Sequence, residues 1–147
     1  MKLVDILDDK GRDVITARPE ATVLEAVQTL VRHNIGALAV VDREGKLVGM
    51  FSERDVLRLS NRTSPPDFSG MRLSEHMTSD LITAQCQTGV EEALSIMTER
   101  RIRHLPVLTG GVLRGIVSQG DLVKAMLADA RHEAQQLTNV VTGKYPA

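Results

Sequence analysis

The sequence predicts an α/β (α+β) protein built from two β-α-β-β-α repeats and closed by a C-terminal helical extension. Three observations carry this expectation. Val14-Ile15-Thr16-Ala17 returns as Leu81-Ile82-Thr83-Ala84, and the likeness continues for about forty residues. Each of these strand-like runs leads into an apolar stripe of helical period. Each copy then closes on one strand-to-helix motif, Gly49-Met50-Phe51-Ser52-Glu53-Arg54-Asp55 and Gly115-Ile116-Val117-Ser118-Gln119-Gly120-Asp121.

The elements follow in order. Related lead-ins, Leu3-Val4-Asp5-Ile6-Leu7 and Leu73-Ser74-Glu75-His76-Met77, precede the copies, the first followed by extra residues around Gly11. After the first strands, Thr22-Val23-Leu24-Glu25 and Thr88-Gly89-Val90-Glu91 have the form of capping boxes, in which hydroxyl and carboxylate satisfy orphan amides at a helix start. Val23, Ala26, Val27 and Leu30, and then Val90, Ala93, Leu94 and Met97, fall at i, i+3, i+4, i+7, the stripe of a helix covering a sheet. Two β-rich runs follow in each copy, Leu38 to Val41 with Leu47 to Phe51, and Leu105 to Leu108 with Val112 to Val117. Turns at Glu44-Gly45 and Gly110-Gly111 make them hairpins. Pro106 lacks an amide donor, so its strand is expected at a sheet edge or with that position where no ladder bond is needed. A second helix starts near Ser52 and Ser118. The resulting division is residues 1–61 for the first repeat, 62–70 for a turn-forming linker, 71–128 for the second repeat and 129–147 for a helical extension and tail.

Composition narrows the function. Of the 147 residues 42% are hydrophobic and only 2% aromatic, so the core is expected to rest on branched aliphatics, Ala and Met. A formal charge of −1 offers no field to attract a polyanion, which argues against nucleic acid. Acidic residues interrupt the first apolar run within a few positions, unlike a signal peptide or membrane span. The lone Cys86 has no disulfide partner in the chain, and a reducing cytoplasm is the expected compartment. No Cys/His spacing suits zinc. His33, His76 and His132 read as surface or packing residues, and Arg100 and Arg101 as solvated charge.

The repeated motif carries the chemistry. Free amides and the dipole at a helix N-terminus favour an anion, and a serine hydroxyl adds a donor. An ionised Asp offers only acceptors, which match the two hydroxyls of a ribose diol. The same Ser-x-x-Asp spacing is also a helix cap. With both Gly-h-h-Ser-x-x-Asp motifs, the Ile-Thr-Ala strands and Arg101-Ile102-Arg103-His104-Leu105-Pro106-Val107, the chain resembles a tandem cystathionine-β-synthase (CBS) domain pair, or Bateman module, over roughly residues 1 to 128. The stand-alone bacterial kind with a short extra helix is the nearest form.

That resemblance implies two repeats packed through their sheets about a pseudo-twofold axis, with two clefts for AMP, ADP, ATP, NAD or S-adenosylmethionine. It implies ribose contacts from Asp55 and Asp121, with Ser52, Ser118 and Arg54 beside them. The first strands at Thr16 and Thr83, the Ile35-Gly36-Ala37 segment and the Arg103-His104-Leu105-Pro106 segment would flank base and phosphate. Because Arg103 and His104 correspond to Gly36 and Ala37, the cleft pairing Asp55 with Arg103 and His104 is the expected phosphate site. Asp121 would face Gly36 and Ala37. The expected function is that of an adenine-nucleotide sensor without catalytic residues, bound metal or catalytic cofactor. It would act as a homodimer through helices whose apolar positions around Leu122, Met126 and Leu127 need cover, and could pass its signal to an effector protein. The competing classes are a structural dimerisation module with empty clefts and a nucleotide-processing enzyme.

Overall fold

The computed structural model describes residues 1–11, 13–62 and 66–142; linker residues 63–65 and the tail with Gly143 and Pro146 lie outside the described residues. The elements run α1 (Leu3–Lys10), β1 (Thr16–Ala17), α2 (Val23–His33), β2 (Ala37–Val41), β3 (Leu47–Ser52), α3 (Glu53–Arg62), a 3-10 turn at Phe68–Gly70, α4 (Leu73–His76), β4 (Ala84–Gln85), α5 (Val90–Arg100), β5 (His104–Thr109), β6 (Val112–Ser118) and α6 (Gln119–Thr142). They form two three-stranded sheets of order β1-β2-β3 and β4-β5-β6. In each, the short first strand is parallel to the middle one and the hairpin partner antiparallel. The α/β repeat is as expected.

Helices α2 and α5 bury the anticipated stripes. Val23, Ala26 and Leu30, like Val90, Ala93 and Met97, are buried, while Val27 and Leu94 pack partly exposed against the two cores. The helix starts differ. The Thr22 hydroxyl accepts the Glu25 amide at 3.1 Å and caps α2. Thr88 does not cap α5: the N-cap is Gly89, and the Thr88 hydroxyl accepts the Gln85 amide instead. Glycine serves there because the N-cap needs an extended residue and tolerates a missing side chain at a loss of only a few tenths of a kcal/mol.

Pro106 occupies the middle strand of its sheet, so the edge alternative is wrong and the second alternative holds. The Cys86 amide donates to the Leu108 carbonyl, which turns Leu108, and by strand alternation Pro106, toward β4. Because β4 begins at Ala84, opposite Val107, the proline nitrogen faces no ladder acceptor. The first copy has Ala39 at this place, and there Thr16 pairs with it.

Each lead-in packs on the other copy. Leu3, Ile6 and Leu7 of α1 join the core of Val90, Ala93, Met97, Leu105, Val107 and Val117. Leu73 and Met77 join Val23, Ala26, Leu38 and Phe51. Backbone bonds fix the exchange: the Leu3 and Val4 amides donate to the Thr88 and Cys86 carbonyls, and the Leu73 and Ser74 amides to Ala21 and Pro19. This explains the motif glycines. A Cβ on Gly49 would collide with Met77, and one on Gly115 with Leu7, so only glycine lets the lead-in side chain rest on the strand. Between the sheets Ala37, Ala39 and Met50 meet Leu81, Leu113 and Ile116, which joins the two halves.

The closing helix of the second repeat and the C-terminal extension are one continuous helix, α6. Leu122 does not need cover: it is 0% exposed in the second core, with Met126 packed against it. Val123, Leu127, at 52% exposure, and Leu137 are exposed apolar positions on this helix. Among the described residues no helix is long and apolar enough to cross a membrane.

Candidate functional site

Each Ser-x-x-Asp motif sits where a strand ends and a helix begins, and in both copies the aspartate does cap its helix. The Ser118 amide donates to Asp121 Oδ2 at 2.8 Å and the Asp121 amide to the Ser118 hydroxyl at 3.1 Å, a reciprocal box. In the first copy the Ser52 amide and hydroxyl both donate to Asp55 Oδ2, at 2.9 and 3.2 Å. Asp55 is buried, and its Oδ1 has a long 3.9 Å contact with Arg58. Capping and ligand binding therefore do not exclude one another, since a carboxylate has about four acceptor sites.

Two clefts open on these carboxylates. The larger, about 830 Å³, is lined by Ser52, Glu53, Arg54 and Asp55 on one side and by Arg100, Arg101, Arg103, His104 and Pro106 on the other. Its volume lies within the range usual for small-molecule sites. Helix α5 ends in Arg101, which takes the left-handed conformation (φ 55°), as Asn34 does after α2. This reversal carries Arg103 and His104 from helix to strand, and the Arg103 carbonyl accepts the Gln119 amide at the head of α6. Arg100 and Arg101, expected as solvated charge, are exposed and also line this cleft.

The smaller cleft, about 320 Å³, is lined by Ile35, Gly36, Ala37, Ser118 and Asp121, with Lys10, Gly11 and Asp13. Asp55 thus shares a cleft with Arg103 and His104, and Asp121 shares one with Gly36 and Ala37. His104 lies between the two, with Nε2 about 3.0 Å from where a Cβ on Gly36 would be, and it lines both. Thr16, Thr83 and Leu105 line neither cleft. Thr16 is exposed on β1, Thr83 precedes β4, and Leu105 is fully buried in the second core.

Electrostatics separates the clefts further. Burial raises the Asp121 carboxyl, but the Lys10 hydrogen bond, the Ser118 amide and the Lys10 charge outweigh it and hold the group below the usual carboxylate range. Lys10 Nζ lies 2.7 Å from Asp121 Oδ2 and 3.0 Å from the Ile116 carbonyl. Burial also pushes the His104 imidazole below its ordinary value; Glu53 and Asp121 pull upward, Arg103 and Lys10 downward. Sequence reasoning missed Lys10. The signal present was the extra length around Gly11, which has no counterpart in the second copy.

The family described as "CBS domain" matches residues 5–62 and 73–128. The mitochondrial CBS domain-containing protein CBSX3 of Arabidopsis thaliana is 35% identical over 150 residues, covering 96% of this chain and 72% of its own. The crystal structure of the CBS-domain containing protein ATU1752 from Agrobacterium tumefaciens superposes with a TM-score of 0.80 at 38% identity, over 86% of this chain and 99% of that one. The CBS domain pair of protein MJ0100, solved in complex with 5′-methylthioadenosine and S-adenosyl-L-methionine, superposes with a TM-score of 0.76 at 28% identity, over 88% and 98%.

Proposed function

The chain belongs to the CBS-domain family, and from that premise we propose that it is a regulatory module that binds an adenine nucleotide of the AMP, ADP, ATP or NAD class in its larger cleft. Ligand binding would shift the relation between repeats or subunits. One observation carries the reading: across the large cleft, the buried Asp55 acceptor faces Arg100, Arg101, Arg103 and His104. A carboxylate suits a ribose diol, and guanidinium groups suit phosphate oxygens through paired, charge-assisted bonds. A nucleotide carries both a ribose diol and phosphate and so offers a partner to each side. The adenosine ligands of the MJ0100 pair support adenine as the base.

The same reading has the module working as a homodimer in the cytoplasm, signalling to an effector protein. Exposed Leu57, Val123, Leu127 and Leu137 on α3 and α6 support an association through helices. The test begins with mass spectrometry of small molecules released from the purified, denatured protein, followed by melting of ligand-free protein with AMP, ADP, ATP and NAD. A ligand at a hundred times its dissociation constant stabilises by about 2.7 kcal/mol, a readily measured shift. No adenine ligand released and no shift with any of the four would favour a purely structural dimerisation module.

A further inference from the structure

The two clefts differ in what already sits on their carboxylates. In the large cleft, one of the two donors to Asp55 Oδ2 is the Ser52 hydroxyl. That rotor can turn toward an arriving ligand and release the oxygen. In the small cleft the corresponding oxygen of Asp121 accepts the Ser118 amide and the Lys10 ammonium. Lys10 is anchored a second time on the Ile116 carbonyl, so its charge is held over the carboxylate. A diol approaching Asp121 would have to displace the Lys10 ammonium from Oδ2 or place both hydroxyls on Oδ1.

The asymmetry has a sequence origin. Leu7 and Met77 occupy equivalent places, each resting on a motif glycine of the other copy. Counting onward from them, Lys10 corresponds to Asp80, which lines the large cleft. An acid there cannot pair with Asp55. Helix α1 also continues to Lys10, whereas α4 stops at His76, one residue before Met77. The extra turn of α1 is what delivers the ammonium.

We infer that Lys10 is the residue that sets the specificity of the small cleft: it occupies the Asp121 diol acceptor and restricts the chain to one adenine nucleotide, held at Asp55. The pair is only partly shielded, with side-chain exposures of 41% for Lys10 and 27% for Asp121, so removing the ammonium leaves no fully buried, unpaired charge and opens the carboxylate to a ligand. This inference rests on the proposed nucleotide function of the same clefts.

The experiment is calorimetry of AMP on the full chain as wild type, Lys10→Met, Lys10→Arg and Lys10→Met/Asp121→Asn, with melting to show that each is folded. Methionine keeps the length of the side chain without its charge, and arginine keeps the charge. The wild type is expected to take one AMP per chain. Lys10→Met should take two, the second bound about tenfold or more tighter than any second binding in the wild type. The double variant should return to one, and Lys10→Arg should stay at one. Two sites in the wild type, one site in the wild type that stays one in Lys10→Met, or a second site weakened by Lys10→Met would overturn the inference and leave the large-cleft reading standing. Binding by Lys10→Met alone would overturn the large-cleft reading, and with it the site at Asp55, and leave only the blocking of Asp121 by Lys10, whereas no binding by either would overturn both. Carboxyl NMR adds a readout that needs no ligand: Asp121 should titrate at higher pH in Lys10→Met, and an unchanged titration would show that the ion pair does not form.

Discussion

Replacing Asp55 by asparagine removes the charge of the ribose acceptor while keeping its shape. The Ser52 amide bond at 2.9 Å can be kept by the amide oxygen of asparagine, so the cap on α3 survives and the protein should fold. What is lost is on the cleft side. A diol that made two charge-assisted bonds to the carboxylate would keep one neutral bond and meet an N–H donor at the other position. At 1.5–3 kcal/mol for a hydrogen bond to a charged group, the net loss is about 2–3 kcal/mol, or roughly 30- to 150-fold in AMP affinity. Calorimetry with AMP on Asp55→Asn and Asp121→Asn reads this directly, because Asp121 in the small cleft should change AMP binding less than about threefold, within the usual scatter of distant substitutions. A loss below threefold for Asp55→Asn, or equal losses for the two variants, would refute the assignment of nucleotide to the large cleft.

Arg103→Ala should weaken AMP about tenfold or more and leave adenosine nearly unaffected, since the guanidinium is assigned to phosphate; equal losses for both ligands would remove that assignment. Because the folded state holds His104 below its ordinary value of 6.5, the unfolded chain binds more protons as pH falls through that value, so stability should decline on acidification below 6.5 and level off beneath the folded-state titration. Urea unfolding of wild type and His104→Gln between pH 5 and 8, a range set by the ordinary titration of histidine, checks it, and identical slopes would count against it. Leu3→Ala, in the second copy's core although it belongs to the first lead-in, should lose about 2–5 kcal/mol in urea unfolding. A loss typical of a frayed terminus, below about 0.5 kcal/mol, would contradict the exchange of lead-ins. Light scattering should return twice the chain mass; a monomer at working concentration would remove the homodimer.

Periodicity and repetition made the repeats legible because both are local signals. The stripes at Val23 to Leu30 and Val90 to Met97, the hairpins and the helix starts at the motif serines all follow from spacing alone. What escaped was set by contacts between distant residues. Nothing in the Leu3 to Leu7 lead-in says which repeat it covers, and the glycines at 49 and 115 acquire their reason only when Met77 and Leu7 are seen above them. Pro106 was legible as a missing donor, but whether that meant an edge strand or a short neighbour depended on β4 starting one position late. Thr88 misled because a one-residue offset between the copies leaves Gly89 in the capping position. Aligning the repeats set Arg103 and His104 against Gly36 and Ala37, and the family resemblance gave them a cleft, but neither signal reached Lys10, since it arises from a length difference that the repeat pattern does not describe.

The exchange of lead-ins also orders the events of folding. Helix α1 leaves the ribosome well before its partners, which follow far behind: the Lys2 ammonium reaches Gln87, 85 residues along the chain. The helix is therefore made well before it can dock, and Leu3, Ile6 and Leu7 lack their core until the second half has emerged. Loop closure over that span adds only about 0.6 kcal/mol per doubling of length, so the penalty falls on folding rate more than on final stability. Neither half can complete its interior alone, and a chain halted near residue 70 presents an unsatisfied apolar helix and a sheet lacking the lid that α4 supplies. Each core is closed only when both repeats are present, although the sequence reads as two units.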